Sequence, residues 1–154
     1  VTPESERTLV TLPDTARRLC RLGVLLVLLG LATGAFIPLF DNPRQGLAAH
    51  SAGVQNGILL TVLGLVWRHL RLGAHASRVA AVAGAVSLYA IWIGFVLAAG
   101  LGTGRATPMA AAGRHGEPWQ ETLVSSVLGA GSAALVVAIL AVLWGLRAAR
   151  ASRE

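Results

Sequence analysis

Four apolar stretches, at residues 19–40, 47–70, 79–101 and 123–146, constrain this chain more than any other feature. Each runs to about 20 residues or more, enough at about 1.5 Å per residue to cross a hydrocarbon core of about 30 Å. Backbone N–H and C=O groups find no water there, so only helices or closed barrels span it. Continuous apolar runs of this length lack the alternation of barrel strands. The expected architecture is therefore all-α, a four-helix transmembrane bundle forming a single domain over 1–154. With 55% hydrophobic and 13% charged residues, the chain has the balance of an integral membrane protein.

All 13 basic residues are arginines, and their placement predicts the orientation. Arg17, Arg18 and Arg21 stand at the start of the first helix, Arg68, Arg71 and Arg78 around the second connection, and Arg147, Arg150 and Arg153 after the fourth helix. The other two connections carry only Arg44, then Arg105 and Arg114. By the positive-inside rule both termini and the second connection face the cytoplasm, N-in and C-in. The net charge of +6 is thus a topology signal that favours anionic lipid headgroups, not nucleic acid, as partner. The first apolar segment is too long for a signal-peptide core and is expected to be a true span. Cys20 is the single cysteine, which excludes an internal disulfide and a cysteine metal cluster, and it reads as a structural thiol.

Local punctuation marks the helix ends. Asp14 or Thr15 reads as a cap of the first helix, Pro38 as its exit signal, and Asp41-Asn42-Pro43-Arg44 as a tight turn. Pro118 suits the first turn of the last helix, where Glu117 and Glu121 complement the N-terminal dipole. Trp119 on one side, with Trp67 and Trp144 on the other, reads as an aromatic belt at the membrane boundaries. Residues 102–117 form the longest connection, a loop placed to cover a site on the outer side.

Within the apolar stretches, His50 needs an explanation, because an ionisable side chain in hydrocarbon costs several kcal/mol unless it has a partner or a task. Gly46, His50, Gly53 and Gly57 fall on one stripe of the second helix. Small residues at this spacing allow close helix packing, a device repeated by Gly30 and Gly34 in the first helix. They also make a flat wall for a planar cofactor with the histidine as axial ligand. One histidine without convergent Asp, Glu or Cys argues against a free metal ion. His69, His75, His115 and Met109 fall in connections, so a cofactor iron on His50 keeps its sixth position open. Ser51, Ser87, Ser125 and Ser126 lack the acid–histidine partners of a hydrolase nucleophile.

Several segments, taken in order, resemble bacterial hydroxylaminobenzene mutases and their relatives the styrene oxide isomerases. They are Phe36-Ile37-Pro38-Leu39-Phe40, Asn42-Pro43-Arg44, Gly46-Leu47, Ala49-His50, Asn56-Gly57 and Leu63-Gly64-Leu65-Val66-Trp67. Weaker matches continue in Gly102-Thr103-Gly104, Trp119-Gln120-Glu121 and Leu143-Trp144-Gly145-Leu146. The resemblance implies a multi-pass protein of the bacterial inner membrane, a homotrimer with ferric haem b at its subunit boundaries. It implies His50 as the iron ligand and Asn56 as a substrate-positioning amide. The family's substrate-side tyrosine falls by ungapped spacing on Phe95, and a further family asparagine on Ile91, leaving Tyr89 as the one tyrosine available as a phenol.

The expected activity is rearrangement of a small aromatic substrate, an aryl hydroxylamine, to a 2-aminophenol by haem acting as a Lewis acid, with Asn56 and Tyr89 as candidate catalytic groups. His50, Arg44, Gly53 and Gly57 are the candidate cofactor-binding residues, Arg44 as a cation for the haem carboxylates. Gln55 either lines a polar cavity or joins two helices. Trp92, Phe95 and Phe36 are candidates to line an arene pocket. Three alternatives stay open: an aryl epoxide isomerase, a haem-binding electron-transfer or sensor subunit, and a cofactor-free scaffold or small transporter.

Overall fold

A computed structural model describes residues 14–147. Four long helices dominate these residues: α1 (Asp14–Ala35), α2 (Pro43–Val66), α3 (Ala74–Leu101) and α5 (Pro118–Gly145), with one short helix, α4 (Pro108–Ala111). All four long helices have the length and apolarity of membrane spans. They start before the apolar stretches do, because the arginine-bearing and polar turns that flank each stretch are helical as well. α1 stops at Ala35 and gives way to a 3₁₀ turn over Ile37–Leu39 that contains Pro38, whose ring fixes φ and removes an N–H donor.

The long helices associate in chain order: α1 on α2, α2 on α3, and α3 on α5, with a lesser contact between α1 and α3. Leu26, Leu60 and Leu88 are fully buried where the first three helices meet. The outer faces of α1 and α5 expose Leu25, Leu28, Leu31, Val136, Val137 and Leu140. Such faces suit lipid tails, which are as apolar as leucine and give helices no hydrophobic reason to cluster; close packing must do that instead.

The α1–α2 seam is built on glycine. A Cβ on Gly30 would lie 2.6 Å from Val54 N and 2.7 Å from the Gly53 carbonyl carbon, and one on Gly57 would lie 2.5 Å from Val27 N. Only hydrogen in place of a side chain lets the two backbones approach this far. At the other end of the seam Gly64 packs on Cys20, whose thiol donates to the Thr61 carbonyl at 3.7 Å. Cys20 is a packing thiol.

Trp67 departs from its expected interfacial place. It is buried, and its indole N–H donates to Ser77 Oγ of α3 at 3.1 Å. Trp119 and Trp144 are exposed, Trp144 under the Arg147 guanidinium at 3.6 Å.

Candidate functional site

His50 lies two turns into α2, whose start is set by Pro43 in the first turn and by Asn42, which accepts from the N–H groups of Arg44 and Gln45. Its ring rests against α1 at Gly34, where an added Cβ would come within 2.7 Å of Nδ1. Nδ1 is 2.8 Å from the Gly30 carbonyl oxygen. A carbonyl only accepts, so a hydrogen is on Nδ1, the tautomer that places the lone pair of a neutral imidazole on Nε2. Among the described residues Nε2 has no hydrogen-bond partner, and it is not among the buried polar atoms lacking one. The imidazole is thus oriented by one nitrogen and open through the other, the second-shell arrangement of metal-ligating histidines. Among the described residues no three His, Cys, Asp or Glu side chains converge as a metal cluster.

The glycine stripe of α2 is occupied. Gly53 meets Gly30 on one side and the Trp92 indole of α3 on the other, and Gly57 meets Val27. Within one chain these two glycines hold helices together and leave no flat wall open; the tight α1–α2 seam takes the space that a planar group would need. Gly46 is covered by Phe40.

Asn56 projects from α2 towards α3 and donates through Nδ2 to the Leu88 carbonyl at 2.9 Å. Tyr89 donates to the Leu22 carbonyl of α1 at 2.8 Å. Each joins neighbouring helices, and neither is brought against His50, which faces Gly30 and Gly34. Arg44 is exposed in the first turn of α2, and Gln55 is exposed on α2's outer face, away from the α1–α2 seam. Phe36 is exposed and Phe95 half-buried, whereas Trp92 packs on Gly53 with its buried indole N–H unpartnered. A buried donor without an acceptor costs about 1–3 kcal/mol. The sequence offers Trp92 as an arene-pocket candidate, and the approach of α3 to Gly53 shows what its indole packs against.

The connection over 102–117 is pinned to the helix ends by polar groups, among them the turn residue Asn42 and the first-turn Glu121. Gln45, fully buried, donates to the Thr103 carbonyl and to Thr107 Oγ1, both at 2.8 Å. Asn42 donates to the Ala111 carbonyl at 3.0 Å. The buried Glu121 carboxylate accepts from the N–H groups of Gly104 and Arg105, both at 2.8 Å, and of Gly116 at 3.0 Å. Arg114 donates to the Asp41 carbonyl. Glu121 therefore organises the loop above the His50 end of α2, a larger task than complementing a helix dipole.

Glu121→Ala would strand those three donors, at about 3 kcal/mol or more for bonds to a charged acceptor. Trypsin should then cut after the exposed Arg105 and Arg114 much faster than in the unsubstituted protein, with Glu121→Gln intermediate. Equal cleavage rates would remove the carboxylate's anchoring role.

The family model described as styrene oxide isomerase matches residues 15–147. The hydroxylaminobenzene mutase HabB of Ectopseudomonas oleovorans is 44% identical over 140 residues, covering 90% of this chain and 85% of the relative. The hydroxylaminobenzene mutase HabA of the same organism is 39% identical over 107 residues, covering 69% of this chain and 79% of the relative. No solved structure matches the chain.

Proposed function

The chain belongs to the styrene oxide isomerase family and is an isomerase of the membrane, and from that premise we propose that it rearranges an aryl hydroxylamine to a 2-aminophenol with haem b held on His50. The observation that carries the haem reading is the His50 geometry: Nδ1–H bound to the Gly30 carbonyl at 2.8 Å and Nε2 free to ligate. Gly34 contributes by having no Cβ where the ring must lie. His50 would hold the ferric haem through Nε2, and the haem would supply Lewis acidity for a rearrangement without net redox change. Arg44 is the cation proposed for the haem carboxylates.

The reaction neither gains nor loses atoms: the hydroxyl leaves nitrogen and joins the ortho carbon, whose hydrogen ends on nitrogen. The departing oxygen must stay close and bulk water must stay out. Asn56 keeps its Oδ1 as an acceptor while Nδ2 holds the Leu88 carbonyl, which fixes the amide plane. The unpartnered Trp92 N–H is a donor of the kind a substrate oxygen needs. Tyr89, committed as donor to Leu22, retains only acceptor capacity and serves to hold α1 on α3. Nε2 of His50 opens at the surface of the single chain, so a neighbouring copy is the natural cover for the site. A homotrimer in the inner membrane is the assembly we propose, with a small aromatic substrate entering from the lipid.

Chromatography of products from phenylhydroxylamine and from styrene oxide, offered separately to the detergent-purified protein, tests the reading. Conversion of the hydroxylamine to 2-aminophenol supports it. Conversion of styrene oxide alone to phenylacetaldehyde would replace the mutase reading by epoxide isomerisation, which the matching family model favours as the second reading.

A further inference from the structure

The amino-terminal halves of α1 and α3 enclose a cleft that takes no part in the His50 site or in the loop network. The two helices are tied where Tyr89 donates to the Leu22 carbonyl. Between that tie and the arginine-bearing helix starts lies a space of about 710 Å³. Its walls are apolar, formed by residues such as Leu19, Leu22, Ala81 and Ala85. Its mouth carries Arg18 from α1 and Arg78 from α3, with Asp14 and Ser77 beside them. Both arginines are exposed, and neither makes an ion pair among the described residues.

We propose that this cleft binds an anionic phospholipid, with the phosphate between Arg18 and Arg78 and an acyl chain along the apolar wall. The two halves of the cleft demand the two halves of such a molecule. Free phosphate would leave the apolar wall unused, and a zwitterionic lipid would bring the arginine pair no net charge to neutralise. Ser77 Oγ already accepts from the Trp67 indole, so its own hydrogen is left for a phosphate oxygen. Asp14 opposes an anion at the mouth and makes the preference modest. The positive-inside reading puts this mouth at the cytoplasmic leaflet, where anionic lipids give the surface its negative potential.

The test is native mass spectrometry of the full chain released from micelles holding equal phosphatidylglycerol and phosphatidylcholine of matched acyl chains. The expected spectrum shows phosphatidylglycerol retained in preference to phosphatidylcholine. Loss of each cleft arginine should lower that retention about fivefold, so Arg18→Gln with Arg78→Gln lowers it by about 25-fold. Arg68→Gln with Arg71→Gln, exposed arginines outside the cleft, should leave it near the original level, and Asp14→Asn should raise it. Excess inorganic phosphate should not displace the lipid. Equal retention of the two lipids, equal losses in the two arginine pairs, or displacement by phosphate would each overturn the assignment.

Discussion

Replacing His50 with alanine should abolish the Soret band of the purified protein and lower the rate of hydroxylamine rearrangement by about a thousandfold or more. The size follows from the several kcal/mol that a Lewis-acid metal contributes to a transition state, each 1.36 kcal/mol being about tenfold in rate. Two companion variants separate ligation from folding. In His50→Gly, added imidazole should restore part of the band, since the Gly30 carbonyl and the Gly34 surface remain to orient a free ring. In Gly34→Ala the new Cβ would stand 2.7 Å from Nδ1, and a loss of about 10–100-fold in cofactor affinity is expected from disturbing a ligand's supporting shell. A full Soret band in His50→Ala would remove the histidine from the cofactor site.

The second large effect concerns the seam. Gly30→Val should prevent α1 from seating on α2, with loss of the properly assembled protein to aggregates on size-exclusion chromatography. The clash is with the backbone, Val54 N and the Gly53 carbonyl carbon, which no rotamer change relieves. Overpacking a well-filled core costs about 1–3 kcal/mol where side chains can adjust, and here the helices themselves must part. Leu31→Val, on an exposed face of α1, should leave the elution profile unchanged. A normally eluting Gly30→Val protein would show that the close approach of α1 and α2 is not required for assembly.

The membrane spans were legible because hydropathy and length act locally: any helix crossing hydrocarbon must present apolar side chains over its whole length. His50 was legible for the converse reason, as an ionisable group where such groups are expensive. Its supporting atoms were not. The Gly30 carbonyl lies 20 residues away in sequence, and a backbone acceptor leaves no residue-type signature. Glu121 looked like a first-turn helix residue and Gln45 carried no signal, yet both are buried under a loop whose path depends on the tertiary structure. Gly53 and Gly57 were ambiguous in sequence, since small residues serve close packing and cofactor walls equally, and the approach of α1 decides for packing within the chain.

By itself, then, the sequence determined that the chain is a helical membrane protein with one intramembrane imidazole of special standing, because composition and periodicity govern each helix separately. Only the tertiary structure decided which face of α2 is covered, which nitrogen of His50 is held, and what becomes of Asn56, Tyr89 and Trp92. Those outcomes depend on how far two backbones can approach, a property of pairs of helices that neither sequence segment carries alone.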